Sequence, residues 1–210
     1  MSLQNRVTPF GNIISASSRG LYTGNRGIIH FSDTKQLHPT KRWTSKAWIY
    51  CLCDFNGKKR DVFGSNGPNG SAGWTNLFFL DEATALAAGH RPCFYCQRER
   101  AKQFQTAFSL GNNLPIQKAP EIDARLHGER LSGKTKRMHP IVGDWRDLPS
   151  GTMITKTEAA YLVFGQKLLQ WSSSGYRPAK PLEAGFMLLT PPSSVSAMAN
   201  GFQLNFTNIH

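Results

Sequence analysis

The stretch FFLDEATALAAGHRPCFYCQRER, residues 78–100, predicts a strand, a short helix and a longer helix in close succession. Asp81 is a favourable N-cap for the short helix, and Gly89 suits the left-handed position that often follows a helix end. Cys93 and Cys96 then stand at the start of the longer helix. The helix dipole favours negative charge at that end, so this C-x-x-C pair lies where two thiolates are stabilised.

The other two cysteines, Cys51 and Cys53, form a second close pair in the segment AWIYCLCDFNGKKRDVF. This segment predicts a β-hairpin with its turn at Asn56-Gly57, because Asn-Gly is favoured in tight hairpin turns. Residues two apart on a strand point to the same side, so both thiols of the C-x-C pair can face one ion.

Two pairs of thiolates predict a single tetrahedral zinc ion bound by four cysteines. The predicted ligands are Cys51, Cys53, Cys93 and Cys96. A redox pair of the thioredoxin type would leave the C-x-C pair without a role, and disulfides are disfavoured because the N-terminal residues do not resemble a secretory signal. If one thiol of the C-x-C pair turns away, a histidine is the alternative fourth ligand. The candidates for that position are His30, His38 and His90.

The segment from about residue 48 to residue 100 resembles a known family in its A-G-x-R-P-C-x-x-C motif and in the strand and helix before it. The matching residues are Phe78, Phe79, Glu82, Ala83, Ala88, Gly89, Arg91, Pro92, Cys93 and Cys96. The family is the zinc-binding, methylphosphotriester-repair domain of Ada proteins. The resemblance covers under a third of the chain.

The family's first metal ligand lies in an I-Y-C segment, and Cys51 takes its place in the WIYC of this chain. The family's first pair is C-x-x-x-C, whereas this chain has C-x-C, with Cys53 in the second position. The family domain contacts DNA, and its first cysteine accepts a methyl group from a phosphotriester while bound to zinc. The resemblance therefore implies a zinc ion, DNA as partner and, as an alternative function, Cys51 as methyl acceptor.

The net charge is +12, with 25 lysine and arginine residues against 13 acidic ones. A basic excess of this size favours a polyanionic partner, because each neutralised phosphate releases a counterion. We therefore expect nucleic acid as the partner, and the resemblance favours DNA over RNA. The predicted contacts are Arg26, Lys58, Lys59, Arg60, Arg91, Arg98, Lys134, Lys136 and Arg137.

Acidic residues and histidines concentrate in the segment EIDARLHGERLSGKTKRMH. Asp123 and His127 stand four residues apart, so on a helix the carboxylate can orient the imidazole as a general base. The same groups could hold Mg²⁺ or Mn²⁺ for cleavage of nucleic acid. The candidate catalytic residues are Asp123, His127, Glu129 and His139. The alternative is an ordinary solvated helix, since Arg125 lies four residues from both Glu121 and Glu129.

The order of these elements predicts an α+β protein. An N-terminal region, residues 1–112, would combine short strands with a small zinc-stabilised unit of strand hairpin and helix. A second region, residues 113–210, would contain a short helix opened by Pro120 and a small twisted antiparallel sheet. GNNLPIQKAP, residues 111–120, is the predicted linker, and the sequence leaves open whether the two regions form one continuous domain.

No apolar run is long enough to cross a membrane, and the N-terminal residues lack the apolar core of a signal peptide. The expected location is the cytoplasm, at the nucleoid if the protein binds DNA, with no membrane partner. Nothing in the sequence indicates the oligomeric state. The leading hypothesis is a zinc-containing, basic DNA-binding protein of repair or processing, with a mainly structural zinc. Two alternatives stay open: a nuclease or base-processing hydrolase that uses the candidate catalytic residues, and methyl transfer to Cys51.

Overall fold

The computed structural model of the protein describes residues 2–31, 33–57, 62–64, 69, 73–179 and 185–206. Within these residues the chain forms two six-stranded sheets, a small two-stranded sheet and four α-helices, so the predicted α+β class is confirmed. No helix in this part of the chain combines the length and the apolar character that a membrane span requires.

The first sheet is built from strands that are far apart in the sequence. Its strands are β1 (Gln4–Val7), β2 (Ile13–Ser15), β3 (Tyr22–Asn25), β4 (Ile49–Leu52), β5 (Leu77–Phe79) and β6 (Arg91–Pro92). The order across the sheet is β2-β1-β5-β3-β4-β6, with β5 parallel to β1 and β6 parallel to β4. The central strand β3 requires Gly24, because a Cβ there would lie 2.2 Å from the carbonyl oxygen of Ile49.

Four α-helices lie in the described part of the chain. They are α1 (Glu82–Ala87), α2 (Arg98–Gly111), α3 (Ala119–Arg130) and α4 (Pro192–Ala199). The predicted cap of α1 is confirmed, because the Asp81 carboxylate accepts a hydrogen bond from the Thr84 backbone N–H at 2.8 Å. Gly89 has φ +86° and its N–H donates to the Leu86 carbonyl, which is the predicted helix end.

The second sheet contains the predicted antiparallel strands of the last third of the chain. Its strands are β9 (His139–Pro140), β10 (Met153–Lys156), β11 (Ala159–Phe164), β12 (Lys167–Ser172), β13 (Gly175–Pro178) and β14 (Met187–Leu188). Their order is β13-β12-β11-β10-β14-β9. A small hairpin of β7 (Leu131–Ser132) and β8 (Thr135–Lys136) precedes this sheet. A 3-10 turn at Trp145–Asp147 joins β9 to β10.

The predicted hairpin around the C-x-C pair is wrong. β4 pairs with β3 on one side and with β6 on the other, and these partners occupy both of its edges. Asn56 and Gly57 have φ values of 58° and 65°, so the predicted turn conformation is present. Among the described residues 62–64, however, no strand returns to β4.

One hydrophobic core joins elements from both of the predicted regions. It contains buried side chains such as Phe79, Phe104, Leu126 and Leu162, which come from β5, α2, α3 and β11. The helix α1 lies inside this core with every side chain buried. It is thereby held between the two larger sheets, and it fixes the chain that leads directly into β6.

Candidate metal centre

Cys51 and Cys93 are brought side by side by the parallel pairing of β4 with β6. Tyr50 is the ladder partner of Pro92, and the Cys93 backbone N–H donates to the Tyr50 carbonyl at 3.0 Å. Cys51 is the next residue on β4, so its thiol meets that of Cys93. The register of these two strands therefore determines this contact.

Cys96 joins them because the chain turns sharply between β6 and α2. The Tyr95 backbone N–H donates to Cys93 Sγ at 3.4 Å within this turn. The Leu52 backbone N–H bonds to the Cys96 sulfur from the end of β4. Backbone donors of this kind stabilise thiolates, as they stabilise other anions. Local backbone geometry thus directs the second thiol of the C-x-x-C pair toward the first.

The sulfur atoms of Cys51, Cys93 and Cys96 lie within 4.8 Å of one another, and we call this group the cysteine cluster. Around a tetrahedral ion with metal–sulfur distances of about 2.3 Å, neighbouring sulfurs lie about 3.8 Å apart. The cluster therefore has the dimensions of a site for one metal ion. Its thiolates are soft ligands, which prefer zinc, copper(I) or iron–sulfur clusters to magnesium or calcium.

The three thiols share their protons unequally. Hydrogen bonds from the Cys51 and Cys96 thiols lower the pKa of Cys93, because they stabilise its thiolate. The hydrogen bonds to Cys93 and Cys96, together with burial, raise the pKa of Cys51. A bound metal ion would take the place of the shared protons, so metal binding is expected to release protons from this group.

Cys53, the fourth predicted ligand, does not join the cluster. β4 ends at Leu52, so the alternation of side chains that would have aligned Cys53 with Cys51 stops one residue too early. The Cys53 side chain is exposed, and its thiol donates to the Gly20 carbonyl at 3.8 Å. The structure therefore brings together three of the four predicted ligands and leaves Cys53 outside the group.

The alternative histidine ligands also have other roles. In the part of the chain that the structure describes, no histidine joins the cysteine cluster. His30 Nδ1 lies 2.7 Å from Thr75 Oγ1, and the His38 ring stacks on Phe31. His90 is fully buried, and burial lowers its pKa well below the usual range.

The cysteine cluster borders an open cleft of about 780 Å³. Aromatic side chains line much of this cleft, including Phe55, Trp74, Phe78 and Tyr95. The Phe55 and Tyr95 rings meet edge to face with centroids 5.4 Å apart. All four cysteines thus lie in the wall of this cavity, the three of the cysteine cluster and Cys53, and the cavity is large enough for a small organic group.

The predicted pairing of a carboxylate with an imidazole on α3 is not formed. Asp123 is buried, and both of its oxygens accept hydrogen bonds from Arg91 at 2.8 Å. His127 Nδ1 instead lies 2.9 Å from Arg130 Nη2, and burial followed by the charge of Arg130 lowers its pKa. Asp123 therefore does not orient His127 as a general base.

The other two candidate catalytic residues hold elements together. The Glu129 carboxylate accepts hydrogen bonds from the backbone N–H and the hydroxyl of Ser193, at 3.0 and 2.5 Å, in the first turn of α4. It also pairs with Arg125 at 3.2 Å, as the solvated-helix interpretation predicted. His139 Nε2 lies 2.7 Å from the Glu129 carbonyl oxygen. These structural contacts explain both residues without any catalytic role.

The predicted nucleic-acid contacts divide into exposed and buried residues. Arg98, Lys134 and Arg137 are exposed, and Lys136 is half-buried. Arg26 and Arg91 are wrongly predicted as surface contacts, because Arg26 packs on Trp48 and Arg91 pairs with Asp123. The remaining contacts lie outside the described residues, and they are Lys58, Lys59 and Arg60.

The aromatic lining of the cleft was not predicted as part of the site. A signal was present, because Phe55 and Tyr95 each stand within four residues of a clustered cysteine. Comparisons of the chain with protein-family models, with curated proteins and with solved structures found no match. The geometry of the cysteine cluster supports two kinds of chemistry, which are metal binding and presentation of a thiolate to the cleft.

Proposed function

We propose that the protein is a zinc-containing, basic nucleic-acid-binding protein directed at DNA. The observation that carries the proposal is the convergence of the Cys51, Cys93 and Cys96 sulfurs within 4.8 Å. Three thiolates suit zinc, and the resemblance of residues 48–100 to the Ada zinc domain supports zinc among the soft metals. The ion would tie β4 to the turn before α2, so its first role is to stabilise the fold.

The proposal of a DNA partner is supported by charge and by the same resemblance. The net charge of +12 favours phosphate backbones, and the exposed residues Arg98, Lys134 and Arg137 offer cations to them. Binding of this kind weakens steeply with salt, because each phosphate contact releases a counterion. A double-stranded oligonucleotide titrated over a range of salt concentrations should show this dependence, and affinity that is independent of salt would contradict it.

The metal is tested by its content in the purified full-length chain and in two matched variants. Cys93→Ser removes a thiolate of the cysteine cluster, whereas Cys53→Ser removes an exposed thiol outside it. We expect one equivalent of zinc in the wild type and in Cys53→Ser, and a large loss in Cys93→Ser. Equal loss in both variants, or a wild-type chain without metal, would refute the proposed centre.

A second candidate function is repair of alkylated DNA by methyl transfer to Cys51. The specific observation that favours it is the open cleft beside the cysteine cluster, which gives a substrate a route to a half-buried thiol. In this step the Cys51 thiolate forms a sulfur–carbon bond with the methyl group. The carbon–oxygen bond of the phosphotriester breaks, and the phosphodiester anion leaves.

Mass spectrometry distinguishes this function from binding alone. After incubation with methylated DNA, we expect the peptide that contains Cys51 to gain the mass of one methyl group. Cys53→Ser is the matched control and should gain the same mass, whereas Cys51→Ser should gain none. An unmodified Cys51 in the zinc-loaded wild type would eliminate methyl transfer and leave DNA binding untouched.

A further inference from the structure

A group of like charges lies around Trp48, away from the cysteine cluster. The indole is held between two guanidinium groups, with Arg26 Cζ 4.0 Å and Arg130 Cζ 3.9 Å from ring centroids. Each of these arginines is only 1% exposed. Lys136 approaches the same region and donates to the Ala87 carbonyl at 2.5 Å. Three cations are therefore gathered around one buried aromatic ring.

No carboxylate neutralises these cations in the part of the chain that the structure describes. The ion pairs found there involve other basic residues. Asp123 is the acid whose charge acts on Arg130, but its two oxygens are already bonded to Arg91. Burial and then the charges of Arg26 and Arg130 lower the pKa of Lys136 to about 7.

Two donors of this group have no hydrogen-bond partner. They are Arg26 Nη2 and Arg130 Nε, and both are buried. Buried donors are almost always satisfied, so orphaned ones indicate a missing water or ion. Since a charged donor loses more than a neutral one when it is left unpaired, two guanidinium groups with orphaned nitrogens favour an anion over a water at this place.

A small cavity lies among these residues. Its volume is about 10 Å³, which is room for one water-sized atom. Arg26, Trp48, Arg130 and Lys136 line it, together with the exposed residues Arg42 and Lys134. The cavity therefore runs from buried cations to cations at the surface, and we call it the cation pocket.

We propose that the cation pocket binds a phosphate group, with one phosphate oxygen in the cavity and the others against Arg42 and Lys134. Guanidinium and ammonium groups together form strong charge-assisted hydrogen bonds with phosphate oxygens. The phosphate can belong to a nucleic-acid backbone or be a free phosphate ion. The binding of phosphate does not depend on the metal centre, and only the nucleic-acid source rests on the proposed function.

Thermal unfolding of the full chain at pH 6, with sodium phosphate against sodium chloride at equal ionic strength, tests the site. Lys136→Met keeps the length of the side chain and removes its charge, and Lys167→Met is the matched control at an exposed lysine. We expect phosphate to raise the melting temperature in a saturable way in the wild type and in Lys167→Met. The affinity for phosphate should fall about tenfold or more in Lys136→Met.

Equal shifts with phosphate and chloride, or an unchanged phosphate affinity in Lys136→Met, would overturn the proposal. Competition with an oligonucleotide then identifies the source of the phosphate. If phosphate displaces the oligonucleotide more than chloride does, and only when Lys136 is present, the backbone occupies the cation pocket. A saturable phosphate shift without such displacement assigns the pocket to free phosphate. The metal content is unaffected in either case, so failure here is distinguishable from failure of the zinc proposal.

Discussion

The cysteine cluster and the cation pocket both use residues from one short segment of the chain, but the first gathers thiols and the second gathers cations. Cys51 lies on β4, and Trp48 stands just before that strand. In the first group, hydrogen bonds from the Cys51 and Cys96 thiols stabilise a single thiolate at Cys93, so little charge is gathered there. The second gathers two guanidinium groups, which hold their protons at any ordinary pH. Like charges that lie close together in a protein repel each other unless a ligand of opposite charge binds to them. The arginines need such a ligand more than the cysteines do, because the arginines stay charged.

The difference extends to how each group meets solvent. The cysteine cluster borders a cleft of about 780 Å³, whereas the cation pocket leaves only about 10 Å³. A cleft of that size admits a substrate to a metal or a thiolate. The narrow pocket admits little more than one atom of a ligand. The first region is therefore open to a small organic group, whereas the second has room for only one oxygen of the proposed anion.

Removal of the proposed zinc should give the largest effect on stability. A structural zinc bound by thiolates contributes most of its binding free energy to folding, so a chelator should lower the free energy of unfolding by about 5 kcal/mol or more. Denaturant unfolding before and after chelation measures this loss, and excess zinc should restore it. Cys53→Ser should respond as the wild type does. If chelation lowered the free energy of unfolding by less than the removal of phosphate does, the cation pocket would contribute more to stability than the cysteine cluster.

Arg91→Ala should rank second, because Arg91 is the buried cation that does have an acid partner. Its loss leaves the Asp123 carboxylate buried and unpaired, at a cost of about 3–5 kcal/mol in the free energy of unfolding. Replacement of both residues by leucine should recover most of that loss. Lys102→Ala, in an exposed ion pair, is the control and should change stability by less than about 1 kcal/mol. Equal costs for both alanine variants would contradict this account.

The pH dependence of the free energy of unfolding tests the charge state of the cation pocket. The pKa of Lys136 is about 7 in the folded protein, against 10.5 for an ordinary lysine. Between these values the unfolded chain binds more protons, so stability rises with pH. Between pH 7.5 and 8.5 we expect a gain of about 1 kcal/mol in the free energy of unfolding.

That gain belongs to a lysine that faces Arg26, Arg130 and the neutral imidazole of His90. Lys136→Met should remove it, and Lys167→Met should keep it. Phosphate should also flatten the dependence, because a bound anion stabilises the charged ammonium. A wild-type curve that falls over this pH range in the absence of phosphate would refute the assignment.

Local features of the site were predictable from the sequence, and pairings between distant segments were not. Asp81 as N-cap and Gly89 as helix end follow from side-chain chemistry within a few residues. The strand partners of β4 are β3 and β6, which are distant from it in the sequence. The expected hairpin is therefore not formed, and Cys53 does not join the other predicted metal ligands. The burial of Arg26 could not be predicted from the local sequence either, because Trp48 and the Gly11 carbonyl contact it from other parts of the chain.

Lys134 should give the smallest effect on stability and a specific effect on binding. It is exposed at the mouth of the cation pocket, so Lys134→Ala should change the free energy of unfolding by less than about 0.5 kcal/mol. If it meets a phosphate of DNA, the slope of log affinity against log salt should become shallower by about 0.9. The exposed Lys167→Ala should leave the slope unchanged. If the slope is unaltered in Lys134→Ala, the cation pocket does not belong to the surface that binds DNA, and free phosphate would then be its ligand.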